Sequence, residues 1–117
     1  MRKIEQKMVE AIQTGRSFSL ANTRVTAPDN NNQSAVYLHG NLICAITWKV
    51  HGLGVLLRPT YSVEQVICTL AGWPTVTTRS RLNAICRAFG MPSRFGQRKG
   101  LQIFDDEVIS PQQLVTL

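Results

Sequence analysis

Ile4, Met8, Ala11 and Ile12 recur at helical spacing with charged and amide residues between them, and Gly15 supplies a stop. Residues 2–14 are therefore predicted to form an amphipathic helix. Residues 22–26 are short and β-prone, and residues 27–34 are a polar loop rich in turn formers. Two β-rich runs follow, 35–39 and 42–48, separated by Gly40-Asn41. That connection predicts a hairpin, because glycine takes the positive φ that a two-residue turn needs. Residues 55–58 extend the meander until Pro59 ends it.

Residues 62–72 carry two patterns at once. Ser62 and Gln65 make a capping box, with Val63, Val66, Ile67 and Leu70 on one helical face. Residues 66–70 are also a β-branched run closed by Gly72 and Pro74, and the strand is the favoured reading. A second helix is clearer. Thr77 or Thr78 caps it, Leu82, Ile85, Cys86 and Phe89 fall at i, i+3, i+4 and i+7 and are expected in the core, and Gly90 and Pro92 end it. Residues 94–97 and 101–104 read as a hairpin around Arg98-Lys99-Gly100. These elements predict an α+β fold: an antiparallel sheet with two amphipathic helices packed on one face. It forms a single domain over 1–104, and 105–117 is a partly ordered tail.

Composition bounds this picture. At 117 residues and 13.0 kDa there is room for one domain. Hydrophobic residues make up 44%, enough to build a core without disulfide or metal staples. No apolar run approaches the ~20 residues of a membrane span, and the N-terminus lacks the apolar stretch of a signal peptide, so a soluble product with no membrane partner is expected. Cys44, Cys68 and Cys86 show no C-x-x-C spacing. They are expected to be reduced and buried, with no metal and no cofactor.

Charge is where the sequence becomes informative. Thirteen basic and seven acidic residues give +6, yet residues 65–104 hold no acidic residue and six basic ones: Arg79, Arg81, Arg87, Arg94, Arg98 and Lys99. The rest of the chain balances to zero. A basic segment of this kind suits a polyanion or an acidic protein surface, and arginine grips phosphate or carboxylate with two-point contacts. Within it, Thr77-Thr78-Arg79-Ser80-Arg81 falls at a helix start, where unpaired backbone N–H groups and the helix dipole favour an anion. Arginine there is electrostatically disfavoured by ~0.3–1 kcal/mol unless an anion offsets it, so the cluster reads as an anion site, with a plain helix cap as the alternative. Asn83, Arg87 and Arg94 continue the basic stripe, Arg98 and Lys99 make a second contact at a hairpin tip, and Trp73, on the turn between Gly72 and Pro74, is the aromatic best placed for base stacking.

Catalytic readings are weaker. His39, His51 and Cys44 match no metal-ligand or nucleophile spacing. Asp105-Asp106-Glu107 is the one acidic cluster, a remote nuclease site and more simply a solvated segment. No Gly-rich phosphate loop, G-x-S-x-G or H-E-x-x-H pattern occurs.

The opening Met1-Arg2-Lys3-Ile4-Glu5, the short Asn22-Thr23-Arg24-Val25, the hairpin Val36-Tyr37-Leu38-His39-Gly40-Asn41-Leu42-Ile43 and the block Gly72-Trp73-Pro74-Thr75-Val76-Thr77-Thr78-Arg79-Ser80-Arg81-Leu82-Asn83-Ala84-Ile85 resemble small proteins of short-tailed double-stranded DNA phages. Gln97-Arg98-Lys99-Gly100 fits the same resemblance. It implies a phage origin and the host bacterial cytoplasm, and carries no mechanism. Residues and resemblance together predict a non-enzymatic phage accessory protein that binds nucleic acid, DNA or RNA, with little sequence preference. The rival expectation is a host-takeover or anti-defence inhibitor that docks on a bacterial host protein.

Overall fold

A computed structural model describes residues 2–52, 60–92 and 94–117, so the strand expected over 55–58 lies outside the described residues. The first helix, α1 (Lys3–Thr14), buries Glu5, Met8, Ala11 and Ile12 along one stripe, and Gly15 closes it at φ 67°, donating back to Ala11 and Ile12. Strands β1 (Phe18–Leu20), β2 (Thr23–Val25), β3 (Gln33–Leu38), β4 (Asn41–His51) and β5 (Thr60–Cys68) follow as an antiparallel meander. Residues 62–68 are thus strand. Eight residue pairs with β4 outweigh a helical face that would have left Val63 and Val66 to find partners alone.

The 35–48 hairpin forms one residue earlier than its glycine suggested. Leu38 pairs with Asn41, so His39 and Gly40 are the two turn residues, with φ 51° and 79°. Both central positions of such a turn need positive φ, and a Gly-Asn pair would have placed glycine first. In β4, residues 44, 46 and 48 point to the same side as Val36, Val66 and Cys68, and this side carries the core.

The second helix, α2 (Val76–Ala88), is capped by Thr75 rather than Thr77 or Thr78: the Thr75 hydroxyl accepts from Thr78 N–H at 3.1 Å. Thr78 turns inward and its hydroxyl bonds that of Thr75 at 2.9 Å. Leu82, Ile85 and Cys86 are fully buried, as the spacing predicted, with Ala84 beside them. Phe89 instead caps the C-terminus and is only half-buried, resting on Trp48 with ring centroids 6.3 Å apart.

Beyond α2, β6 (Phe95–Arg98) and β7 (Leu101–Phe104) form the predicted hairpin, with Lys99 and Gly100 at φ 52° and 78° in its turn. β8 (Glu107–Val108) extends this into a three-stranded sheet. β9 (Val115–Thr116) returns to the main sheet, pairs with β5 and buries Val115. Residues 105–117 are therefore integrated rather than a loose tail: an apolar side chain every few positions, Ile109 and Val115, reaches the core. The six-stranded sheet runs β1-β2-β3-β4-β5-β9 with the helices on one face, an α+β architecture.

Candidate functional site

The cluster at the start of α2 does meet an anion, and the anion belongs to the protein. Arg81 is buried and donates from Nη1 to Glu5 Oε2 at 2.8 Å and from Nε to the Thr23 hydroxyl at 3.1 Å. Ser80 Oγ donates to the same Glu5 oxygen at 2.5 Å. Glu5 is itself 1% exposed. A buried ion pair between α1 and α2, steadied by β2, thus answers the arginine whose position near a helix N-terminus was otherwise unfavourable. The hydroxyls of Thr78 and Ser80 and the guanidinium of Arg81 are spent on this interior and on the cap rather than held out for an external phosphate.

What remains outside is a different surface. Arg79, half-buried, donates from Nη1 to the Pro74 carbonyl at 3.0 Å and to Gln102 Oε1 at 2.9 Å, which anchors α2 to β7. Arg79 and Arg87 line a shallow groove of about 290 Å³ between α2 and β6, shared with Val76, Ser80, Asn83 and Phe95. Among the described residues no carboxylate lines it. Asn83 does not join the basic stripe. Its amide instead donates to the Phe95 carbonyl and accepts from Phe95 N–H, at 3.0 and 2.9 Å, so it holds β6 against the helix. Phe95 is buried and packs on Phe104, with centroids 4.8 Å apart, so neither ring is a stacking platform. Arg94 is half-buried, and its Nε has no hydrogen-bond partner among the described residues. Arg98 and Lys99 are exposed at the hairpin tip, where Arg98 reaches Asp106 at 3.6 Å.

Trp73 is 60% exposed on its turn. It forms one wall of a cavity of about 480 Å³ that also takes in Leu38, Ile43 and Leu70 as apolar lining and His39, Asn41 and Thr77 as polar lining. This cavity and the α2–β6 groove flank the first turn of α2 on two sides. Arg24, which the sequence did not single out, lies over the Tyr37 ring at 4.4 Å on the opposite face of the sheet. Cross-strand pairing of β2 with β3 places them, and the alternation of residues 24 and 37 against the core positions is the signal that would have found them.

The remaining chemistry is structural. Cys68 and Cys44 face each other in the core with sulfurs 3.5 Å apart, and the hydrogen bond between them, together with burial, drives the Cys68 thiol far above its ordinary range. Burial also pushes Cys86 up to about 11. All three cysteines are free and buried. His39 meets the Asn22 amide at 3.3 Å and His51 the Ser62 hydroxyl at 2.8 Å, and among the described residues no group of three potential metal ligands converges. Asp105, Asp106 and Glu107 are exposed.

A family model described as Kyanoviridae Gp96 protein matches residues 1–115. The chain belongs to that family. It is thus a phage protein, as the sequence resemblance implied, but Kyanoviridae are cyanophage myoviruses and not short-tailed phages. The residue blocks that suggested short-tailed phages identify a phage protein without resolving the virion type. No curated protein and no solved structure matches the chain. Among its described residues no helix is long and apolar enough to cross a membrane.

Proposed function

We propose that this Gp96-family protein is a non-enzymatic phage accessory protein that binds nucleic acid through the surface formed by α2 and the β6–β7 hairpin. The observation that carries this reading is the carboxylate-free groove of Arg79 and Arg87, set in a forty-residue segment without an acidic residue. Phosphates lying along the groove gain from both guanidinium groups, and Lys99 extends the cationic track beside Arg98, whose charge is shared with Asp106. Trp73, near the other side of the α2 start, offers a ring on which an unpaired base can stack, so single strands are the favoured form. No base-reading element is present in the groove, so sequence preference should be slight.

An anisotropy titration of single-stranded DNA and RNA at two salt concentrations tests this. Binding at low salt that weakens steeply with added salt is expected, and Trp73→Ala should lose ~1–3 kcal/mol on single strands. No binding even at low salt would overturn the proposal. The Trp73 patch favours a second reading. At 60% exposed, Trp73 has the character of an aromatic anchor for a host protein, a contact that salt would scarcely weaken.

A further inference from the structure

Trp73 stands on a turn that the backbone holds in place. Its N–H donates to the Leu70 carbonyl at 2.9 Å, its carbonyl accepts from Thr75 N–H at 2.8 Å, and Gly72 N–H donates to the Pro111 carbonyl at 2.9 Å. Ala71 and Gly72 make the bend at φ 55° and 77°. An indole kept exposed on a fixed turn is a preformed wall, so a ligand that stacks on it meets little ordering cost.

The cavity beside that wall, about 480 Å³, is of the size that small ligands occupy. Leu38, Ile43 and Leu70 are its apolar lining, and among the described residues no carboxylate, lysine or arginine lines it. It therefore suits a neutral group. Its polar side chains fall into two sets. The Thr75 and Thr78 hydroxyls bond each other, and the His39 ring meets the Asn22 amide. The Asn41 carboxamide and the Thr77 hydroxyl, both half-buried, have no hydrogen-bond partner among the described residues. An aromatic wall, an apolar floor and an unengaged carboxamide together fit a planar, neutral ring with hydrogen-bonding groups on its edge.

We propose that this cavity is a nucleobase site that takes one adenine, its face on Trp73 and its edge on the Asn41 carboxamide. The inference rests on the nucleic-acid reading for choosing a base among planar rings, and it adds a base reader that the basic groove lacks. Groove and cavity flank the first turn of α2, and a helix is ~10–12 Å across, so a strand whose phosphates follow Arg79 and Arg87 can set a nearby base into the cavity. Asparagine pairs with adenine through two hydrogen bonds, its oxygen accepting from the amino group and its amide donating to a ring nitrogen. With that pair made, adenine leaves no carbonyl or second amino group to be satisfied against the apolar lining, whereas every other common base carries one. The preference is confined to one nucleotide, so the strand as a whole is read only weakly.

Adenosine, which has no phosphate, and two single-stranded oligonucleotides, one all thymine and one with a single central adenine, are the probes. In a Trp48→Phe background Trp73 is the sole tryptophan, and adenosine should quench its emission saturably, more strongly than thymidine and with little effect of salt. Asn41→Ala, and the isosteric Asn41→Asp that keeps the shape and loses the donor, should each weaken adenosine by about ten-fold with a wild-type far-UV spectrum. The central adenine should tighten the oligonucleotide by about the same factor, a ratio between the two strands that should vanish in Asn41→Ala. Salt-steep binding of both strands with no quenching by adenosine, or with Asn41 variants that bind adenosine as the wild type does, would overturn the inference and leave the basic surface intact. Adenosine bound through Asn41 with no gain from the central adenine would support the cavity as a nucleobase site and assign it to a free nucleoside or nucleotide. If in that case neither strand binds at low salt, it is the basic-surface reading that fails.

Discussion

Glu5 and Arg81 show how a polar pair can hide in an apolar stripe. Glu5, Met8 and Ile12 fall at i, i+3 and i+7 of α1, and Arg81, Leu82 and Ile85 sit together on the inner side of α2. A carboxylate and a guanidinium therefore lie on the faces that hydrophobic spacing would reserve for aliphatics. Each was legible as a charge and neither as a partner, because pairing across 76 residues depends on how the helices pack. Breaking such a pair leaves an uncompensated buried charge, so Arg81→Ala should lose ~3–5 kcal/mol in urea melts. Glu5→Leu combined with Arg81→Met should recover most of that loss, since an apolar pair needs no desolvated charge. A double variant as unstable as Arg81→Ala would mean that the hydrogen bonds to Ser80 and Thr23 carry the stability instead. The buried thiols belong to the same scale. Raised values at Cys68 and Cys86 mean that folding favours the neutral thiol, a contribution present below the unfolded value near 9 and lost as pH rises above it.

At the scale of elements, periodicity and turn chemistry found both helices, the main hairpin, the β6–β7 hairpin and the strand over 62–68, and missed by one or two residues where caps and turns compete. Thr75, Thr77 and Thr78 are chemically equivalent caps in sequence. What separates them is that Thr78 faces the core and Val76 faces out, and only the packed helix shows this. The same limit shifted the first hairpin turn from Gly40-Asn41 to His39-Gly40, because the register answers to a bulge between Val36 and Tyr37. The second turn supports a prediction. Lys99 occupies the first central position at φ 52°, where asparagine is preferred. Lys99→Asn should raise stability by about 0.5–1 kcal/mol, since asparagine tolerates the left-handed region that costs other residues ~1–2 kcal/mol. On the proposed function it should at the same time weaken nucleic-acid binding. Loss of both stability and affinity would show that Lys99 serves the fold rather than a ligand.

For the whole molecule, the internal ion pair redraws the charge map that the sequence suggested. Glu5 and Arg81 cancel each other in the interior, so the 65–104 segment keeps five charges outside that pair rather than six, and the remainder of the chain is no longer balanced but carries one net positive charge. The change is concentrated on α1, where Arg2, Lys3 and Lys7 are exposed and Glu10 is the one acidic residue left on the outer face. A helix that reads in sequence as a neutral control is thus itself mildly cationic. If binding followed net charge alone, removing Lys3 and Lys7 would reduce affinity as much as removing Arg87 and Lys99. The proposed surface predicts otherwise. Arg87 lines a groove without a carboxylate and Lys99 extends its track, whereas Lys3 and Lys7 share their surface with Glu10. Arg87→Ala with Lys99→Ala should lower the slope of log affinity against log salt by about 2, one unit per phosphate contact, while Lys3→Ala with Lys7→Ala should change it by well under 1. Both pairs remove two exposed charges, so diffuse attraction falls equally in each, and any difference in slope reports contacts at the groove. Equal slopes would mean that the protein attracts polyanions only through its net charge, and the groove would lose its claim to a site.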